Sequence, residues 1–274
     1  MSVPLHRAVS AVKRAAKVVL PEKLPWRLQI RKYTSLEEPE ISVAKHFCNP
    51  SEIALDIGAN RGVYAVALSN HSRQVVAVEP NPILAARLRR FLPRSVRVLE
   101  FAASNEDGEC EFFIPMQGES DIDTRGSVEQ GANLGFSQRT VRVKKGRIDA
   151  LPFNEGPVGL IKIDVEGHEL NALQGLTGII ERSRPTIIVE SEFRHHPESP
   201  QNVFDFLLGF GYSGYFIHRG RLRPISEFSV AQFQAESVWK DYSGEKSPDF
   251  INNFLFVHPS RDAALEGIRK IYPC

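Results

Sequence analysis

The chain of 274 residues and 30.7 kDa is 42% hydrophobic and 24% charged, the balance of an ordinary globular protein and not of a disordered one. Thirty-four basic residues against 33 acidic ones leave a net charge of +1, so there is no general pull toward a polyanion and no nucleic-acid partner is expected. No apolar run approaches the roughly 18 residues of a membrane-spanning helix, so a soluble, cytoplasmic protein is expected.

In chain order, residues 1–24 come first, with His6, Arg7, Lys13, Arg14, Lys17 and Lys23 and no acid before Glu22. Leu5, Val9, Val12, Ala16, Val19 and Leu20 recur at near-helical spacing, which predicts an amphipathic helix with a basic face. Three roles are open to it: contact with an anionic membrane surface, a transit segment, or an arm packed on its own domain. Charge interrupts the apolar stretch too often for a secretory signal. Pro21, Pro25 and Pro39 punctuate the approach to the core, so the sequence predicts an arm over residues 1–40 and one domain over 41–274. Cys48, Cys110 and Cys274 are far apart, odd in number and without a C-x-x-C pair, which predicts reduced thiols and neither a disulfide framework nor a zinc site.

From residue 51 apolar runs alternate with helical patterns. Ile53–Ile57 reads as a first strand and Val63–Leu68 as a helix. Gln74–Val78 reads as a second strand and Ile83–Leu92 as a helix with Arg87, Arg89 and Arg90 on its wet side. Val96–Ala103 reads as a third strand, with Cys110–Ile114 and Thr140–Lys144 as further strands around a polar stretch. Leu160–Ile163 is the next, then a helix over Glu169–Glu181, a strand over Thr186–Glu190, a helix over Asn202–Leu208, and strands at Tyr215–His218 and Asn253–His258. Continuous apolar strands between helices predict a doubly wound parallel α/β sheet, with the last two strands forming an antiparallel edge.

Ligands of such sheets bind beyond the carboxyl ends of the strands. Polar residues collect at those ends: Asp56 to Gly62 after the first strand, Glu79 after the second, Ala103 and Ser104 after the third, Asp164 to Glu169 after the fourth, and Glu190, Glu192, His195 and His196 after the fifth. Gly58 and Gly62 bracket a tight turn where a ligand can approach main-chain N–H groups, although a plain strand-to-helix connection uses the same residues. Glu79, 17 residues beyond Gly62, stands where an acid accepts hydrogen bonds from both hydroxyls of a ribose. Counted from Gly58, the other glycine places of the dinucleotide fingerprint hold Asn60 and Val63. The turn instead suits a nucleoside without phosphates and with a cationic amine near Asp56, as in S-adenosylmethionine.

Leu55-Asp56-Ile57-Gly58-Ala59-Asn60-Arg61-Gly62, Val78-Glu79-Pro80 and above all Ile161-Lys162-Ile163-Asp164-Val165-Glu166-Gly167-His168-Glu169 resemble the FkbM family of S-adenosylmethionine-dependent methyltransferases. Arg147-Ile148-Asp149-Ala150-Leu151 and Ile188-Val189-Glu190 fit the same pattern, and the resemblance covers about residues 50–215. It implies a Rossmann-like methyltransferase sheet and O-methylation of a hydroxyl on a sugar or natural product. It also implies that Asp56, Gly58, Asn60 and Gly62 line the methionine end of the cofactor and that Glu79 holds the ribose. Ala103 and Ser104 would then lie near the adenine, and Asp164 near the methyl group. A hydroxyl acceptor needs a base, and His168 is the first candidate because imidazole titrates near neutrality; a packed or capping histidine is the other reading. Asp164 and Glu166 flank it as further catalytic candidates. Asp164, Glu166, Glu190, Glu192, His195 and His196 include metal-ligand types, but no spacing among them enforces a coordination geometry, so no metal is assigned. Residues 115–139 read as a lid or acceptor-binding loop, with Met116 or Phe136 over the acceptor. A methyltransferase-fold protein acting without catalysis, as a binding or assembly partner, is the competing function.

Overall fold

In a computed structural model the chain is described over residues 39–117, 120–121, 126–133, 136–151, 156–196, 198–239, 247 and 249–273. The arm over residues 1–40 lies outside the described residues except for Pro39 and Glu40, which begin α1 (Pro39–Ala44). Then come β1 (Ile53–Ile57), α2 (Val63–Ser69), β2 (Gln74–Val78), α3 (Pro82–Phe91) and β3 (Val96–Leu99). After a second set of strands the chain returns through β8 (Val158–Ile163), α4 (Glu169–Gln174), α5 (Thr177–Ser183), β9 (Thr186–Glu190) and α6 (Gln201–Gly209). It ends with β10 (Ser213–His218), β11 (Arg221–Pro224), α7 (Val230–Phe233), α8 (Glu236–Trp239), β12 (Asn253–Val257) and α9 (Asp262–Ile271).

The main sheet has the order β3-β2-β1-β8-β9-β12-β10-β11, parallel from β3 through β9. Every residue of β1, β8 and β12 is buried, as a sheet covered on both faces requires. Alternation sorts the side chains between two layers. Leu55, Ile57, Ile161 and Ile163 pack with Leu173, Ile179 and Phe204 of α4, α5 and α6. Ala54, Leu160 and Ile188 pack with Ala65, Leu88 and Ile268 of α2, α3 and α9. Each fully buried Ile or Leu contributes about 1.5–3 kcal/mol, and this pairing of layers holds the strand ends level. The order reverses between β1 and β8, so a crevice opens beyond Ile57 and Ile163.

Four departures from the sequence reading have local causes. The run Val96–Ala103 is two strands: β3 stays in the main sheet, while β4 (Ala102–Ala103) pairs with β7 (Ser137–Gly146). Phe101 turns inward between them, and hydrophobicity alone does not say which sheet a residue joins. The helix read over Glu169–Glu181 breaks at Gly175, where a Cβ would sit 2.0 Å from the Ser104 carbonyl oxygen. β12 is inserted between β9 and β10, antiparallel to both. The antiparallel edge strand is β11, joined to β10 by Arg219-Gly220 with φ of 49° and 72°, the left-handed pair that a two-residue hairpin turn needs.

The second sheet has the order β4-β7-β5-β6, built on the antiparallel pairing of β5 (Gly108–Gln117) with β7, and with β6 (Ser120–Asp121) at its edge. Ser127 bridges to Phe113 in β5 through Phe113 N–H to Ser127 O, 2.7 Å, and Ser127 N–H to Phe113 O, 3.0 Å. That bridge returns the chain to the crevice.

Candidate active site

The first turn is closed on itself. Gly58 has φ +79°, and a Cβ there would lie 1.7 Å from the carbonyl oxygen of Asp164. The Gly58 and Ala59 amides both donate to Val78 O, at 2.9 and 3.0 Å, and Gly62 N–H donates to Ala59 O at 2.7 Å. The glycines therefore serve the approach of β1 to β2 and β8, and these amides are spent within the protein. This corrects the expectation that the turn holds them out to a ligand. Gly62, with φ +78°, starts α2 with its would-be Cβ 2.8 Å from Leu88.

Glu79 ties this turn to the end of β2. Its Oε2 accepts from Asn60 N at 2.7 Å and its Oε1 from Asn81 N at 2.8 Å. Asn81 in turn caps α3, its side chain accepting from Ile83 N at 3.0 Å ahead of Pro82. A carboxylate oxygen has lone pairs for more than one donor, and Glu79 also lines the cavity beyond the strand ends.

The turn after β8 is strained, with Glu166 at φ 52° and Gly167 at φ 104°. Glu169 Oε1 accepts from Gly167 N at 2.8 Å, and Ser127 Oγ donates to Glu166 O at 2.7 Å, so both flanks hold the turn. His168, at the start of α4, is fixed at both ring nitrogens. Nδ1 lies 2.7 Å from Glu129 Oε1 and 3.2 Å from the Asn171 amide, and Nε2 lies 3.1 Å from Ser104 Oγ. Nothing in the sequence pattern marks Glu129 or Ser127. They sit in a polar stretch with no motif, 39 residues from their partners.

These pieces surround one cavity beyond the carboxyl ends of β1, β2 and β8. Of the residues read from the sequence, Gly58, Asn60, Glu79, Ala103, Asp164, Glu166 and His168 line it. Asp56 is 2% exposed at the end of β1 and does not line it, and Gly62 and Ser104 stand behind the lining. The apolar walls are Val78, Leu84, Phe101, Ala102, Phe112 and Val128. Phe112 and Val128 take the covering place expected of Met116 or Phe136, since Phe136 is exposed and neither lines the cavity.

The site lies within a segment, residues 56–213, that matches the Methyltransferase FkbM domain. The chain belongs to the FkbM methyltransferase family. It is 29% identical over 178 residues to the hexuronic acid methyltransferase AglP of Haloferax volcanii, a match covering 62% of this chain and 67% of that protein. Among solved structures it is similar to an FkbM methyltransferase from Methylobacillus flagellatus KT (15% identity, TM-score 0.45), covering 91% of this chain and 59% of that one. It is also similar to an O-methyltransferase from Bacillus cereus in complex with SAH (13% identity, TM-score 0.41), covering 90% and 96%. The family implies use of S-adenosylmethionine.

Behind the cavity of this FkbM methyltransferase, the ends of β8, β9 and β12 gather a buried polar network. Asn252 Nδ2 donates to Glu190 Oε1 at 2.5 Å and Glu192 Oε1 at 2.7 Å, and Lys162 Nζ donates to Asn253 Oδ1 at 2.9 Å. Arg194 pairs with Glu192, and His195 Nε2 lies 3.1 Å from Glu166 Oε2. Burial, with Glu190 and Glu192 nearby, pushes the Glu166 carboxyl up to about 8. Burial pushes Glu169 up to about 7. His195 is engaged with Glu166, and the side chain of His196 accepts from Glu198 N at 3.3 Å. Among the described residues no group of three or more His, Cys, Asp or Glu is placed to hold a metal ion. No described helix is long and apolar enough to cross a membrane.

The raised carboxyls have a consequence for stability. A carboxyl whose folded value exceeds its unfolded one favours the native state while both states are protonated, and that advantage is lost as pH rises toward the folded value. The contribution of these two groups to stability should therefore fall between about pH 4.5 and 8. Glu166→Gln, scanned by differential scanning fluorimetry across that window, should show a flatter profile. A slope equal to the wild type would mean that Glu166 titrates normally.

Proposed function

We propose that this chain is an O-methyltransferase that moves the methyl group of S-adenosylmethionine to a hydroxyl of a sugar or small natural product. One observation carries the reading: Glu79 with the Gly58–Asn60 turn, and Asp164 with Glu166 and His168, meet across a single cavity at the switch point of the sheet. The lining suits the cofactor. Glu79 suits the ribose hydroxyls, and Phe101, Ala102 and Ala103 form an apolar slot for the adenine with Ser104 behind it. The Gly58–Asn60 turn, shaped from behind by Asp56 and Gly62, suits the methionine end. When bound, the cofactor supplies a methyl group on a sulfonium, already activated for displacement.

What remains for the protein is to place the acceptor oxygen and take its proton. Positioning supplies much of the rate in such reactions. His168 receives the proton at Nε2 in this reading, and Asp164 and Glu166 orient the acceptor at the same wall. The relative AglP acts on a hexuronic acid, which supports a glycan acceptor. Residues 41–274 make up the methyltransferase domain, and the basic arm over 1–40 suits contact with an anionic membrane surface. A purely non-catalytic partner would have no need of a proton acceptor at the cavity.

Calorimetric titration with S-adenosylhomocysteine, with NAD in parallel, tests the cofactor. Micromolar binding of the first and none of the second is expected, followed by methyl transfer to a panel of neutral and uronic-acid glycosides. Binding of NAD alone would overturn the reading, and binding without transfer to any hydroxyl would favour the non-catalytic partner. In the same titration Glu79→Gln should cost about 1–3 kcal/mol, near ten- to hundredfold in Kd. Unchanged affinity would remove Glu79 from the ribose site.

A further inference from the structure

We infer that Glu129, carried by the insertion between β5 and β7, is the positioning residue of His168: it fixes the proton on Nδ1 and leaves the Nε2 lone pair as the base. The inference rests on the proposed role of His168 and extends it to a residue outside the motifs of the main sheet.

The geometry has three parts. First, Glu129 Oε1 is 2.7 Å from His168 Nδ1, and the hydrogen bond from His168 holds the Glu129 carboxyl below its ordinary range. An ionised carboxylate only accepts, so Nδ1 must donate and Nε2 carries the lone pair. Second, the Ser104 hydroxyl is 3.1 Å from Nε2 and, with that tautomer, donates to it; Asn105 Oδ1, 3.4 Å from the same hydroxyl, accepts that hydrogen bond instead when an acceptor hydroxyl occupies the Nε2 lone pair. The ring is held between an acceptor and a donor and cannot flip without losing both. Third, Glu129 is itself anchored. Its N–H donates to Ser127 Oγ at 2.9 Å, Ser127 Oγ donates to Glu166 O at 2.7 Å, and Ser127 is bridged to Phe113 of β5. Ser127 is fully buried.

The insertion therefore grips the turn after β8 at two points, one on the backbone of Glu166 and one on the ring of His168. When a hydroxyl proton passes to Nε2, the ring becomes an imidazolium, and the Glu129 carboxylate offsets its charge. Orientation and charge compensation from one carboxylate are what a histidine base requires to work near neutral pH.

Nitrogen-15 NMR of the full chain with labelled histidine, bound to S-adenosylhomocysteine, reads the tautomer without needing the acceptor. The wild type should show His168 protonated at Nδ1 and bare at Nε2. Glu129→Leu, close in size but with no acceptor atom, should lose the Nδ1–H signature while S-adenosylhomocysteine affinity stays within about threefold, because Glu129 does not line the cavity. Should that variant fail to fold, Glu129→Gln keeps the shape without the charge, and its Nδ1 proton should exchange with solvent at least about tenfold faster. A wild-type ring protonated at Nε2, or the same signature and exchange rate in the variants, overturns the inference. The two readings fail separately. An unchanged tautomer beside an inactive His168→Ala sinks only the role of Glu129. An active His168→Ala sinks the base itself, whatever the tautomer.

Discussion

Replacing His168 with alanine should slow methyl transfer by about a hundredfold or more and leave S-adenosylhomocysteine affinity within a factor of about three. The asymmetry comes from the site. His168 lines the cavity with Asp164 and Glu166, and its ring nitrogens are engaged by Glu129 and Ser104, so in this reading its loss removes a proton acceptor and no hydrogen bond to the cofactor. The ring also satisfies Ser104 and Glu129, so alanine leaves two polar groups to re-pair with water. Some loss of thermal stability is expected with the loss of rate. His168→Asn separates the two effects, because an amide can take up part of the hydrogen bonding but cannot act as a base. Release of S-adenosylhomocysteine against acceptor concentration is the measurement. Wild-type turnover in both variants would move the role to Asp164 or Glu166.

Gly58→Ala should be the most damaging glycine-to-alanine substitution among the described residues. The added carbon would fall 1.7 Å from Asp164 O, a backbone atom that β8 holds in place through Asp164 N–H to Ile57 O at 2.9 Å. Relief requires moving β1 from β8 or rotating a left-handed residue whose N–H bonds Val78. Strain at positive φ is about 1–2 kcal/mol and overpacking about 1–3 kcal/mol, so the loss is about 2–5 kcal/mol. For a domain of this size that lowers Tm by roughly 5–20 °C. S-adenosylhomocysteine binding should vanish with it, since the turn and the Asp164 wall can no longer meet. Gly209→Ala is the control, because a Cβ there meets nothing within 4 Å. A Tm for Gly58→Ala indistinguishable from wild type would contradict the observed packing.

Much of this molecule can be read from local order. The apolar runs of β1, β2, β8 and β9, and the polar residues just beyond them, identify the parallel sheet and the rim where the cavity lies, because strand period and chain direction depend on neighbouring residues alone. Gly58, Glu79, Asp164 and His168 are legible for that reason, as is the Lys162–Glu169 block that marks the family. The functions of the glycines are not legible. Whether Gly58 presents an amide or makes room for a carbonyl depends on β8, more than a hundred residues away in the chain. The split of Val96–Ala103 between two sheets, the insertion of β12 between β9 and β10, and the pairing of Glu129 with His168 are of the same kind. Each joins segments with no common periodicity, and the partner is chosen by which surfaces the packed layers bring within hydrogen-bond reach. The amino-acid order alone specified the sheet and the residues at its rim. Only the folded chain decided which of them face the cavity, which stand behind it, and that an insertion outside the main sheet supplies the partner of the proposed base, because hydrogen bonds of about 3 Å are set by tertiary distance and leave no mark in sequence spacing.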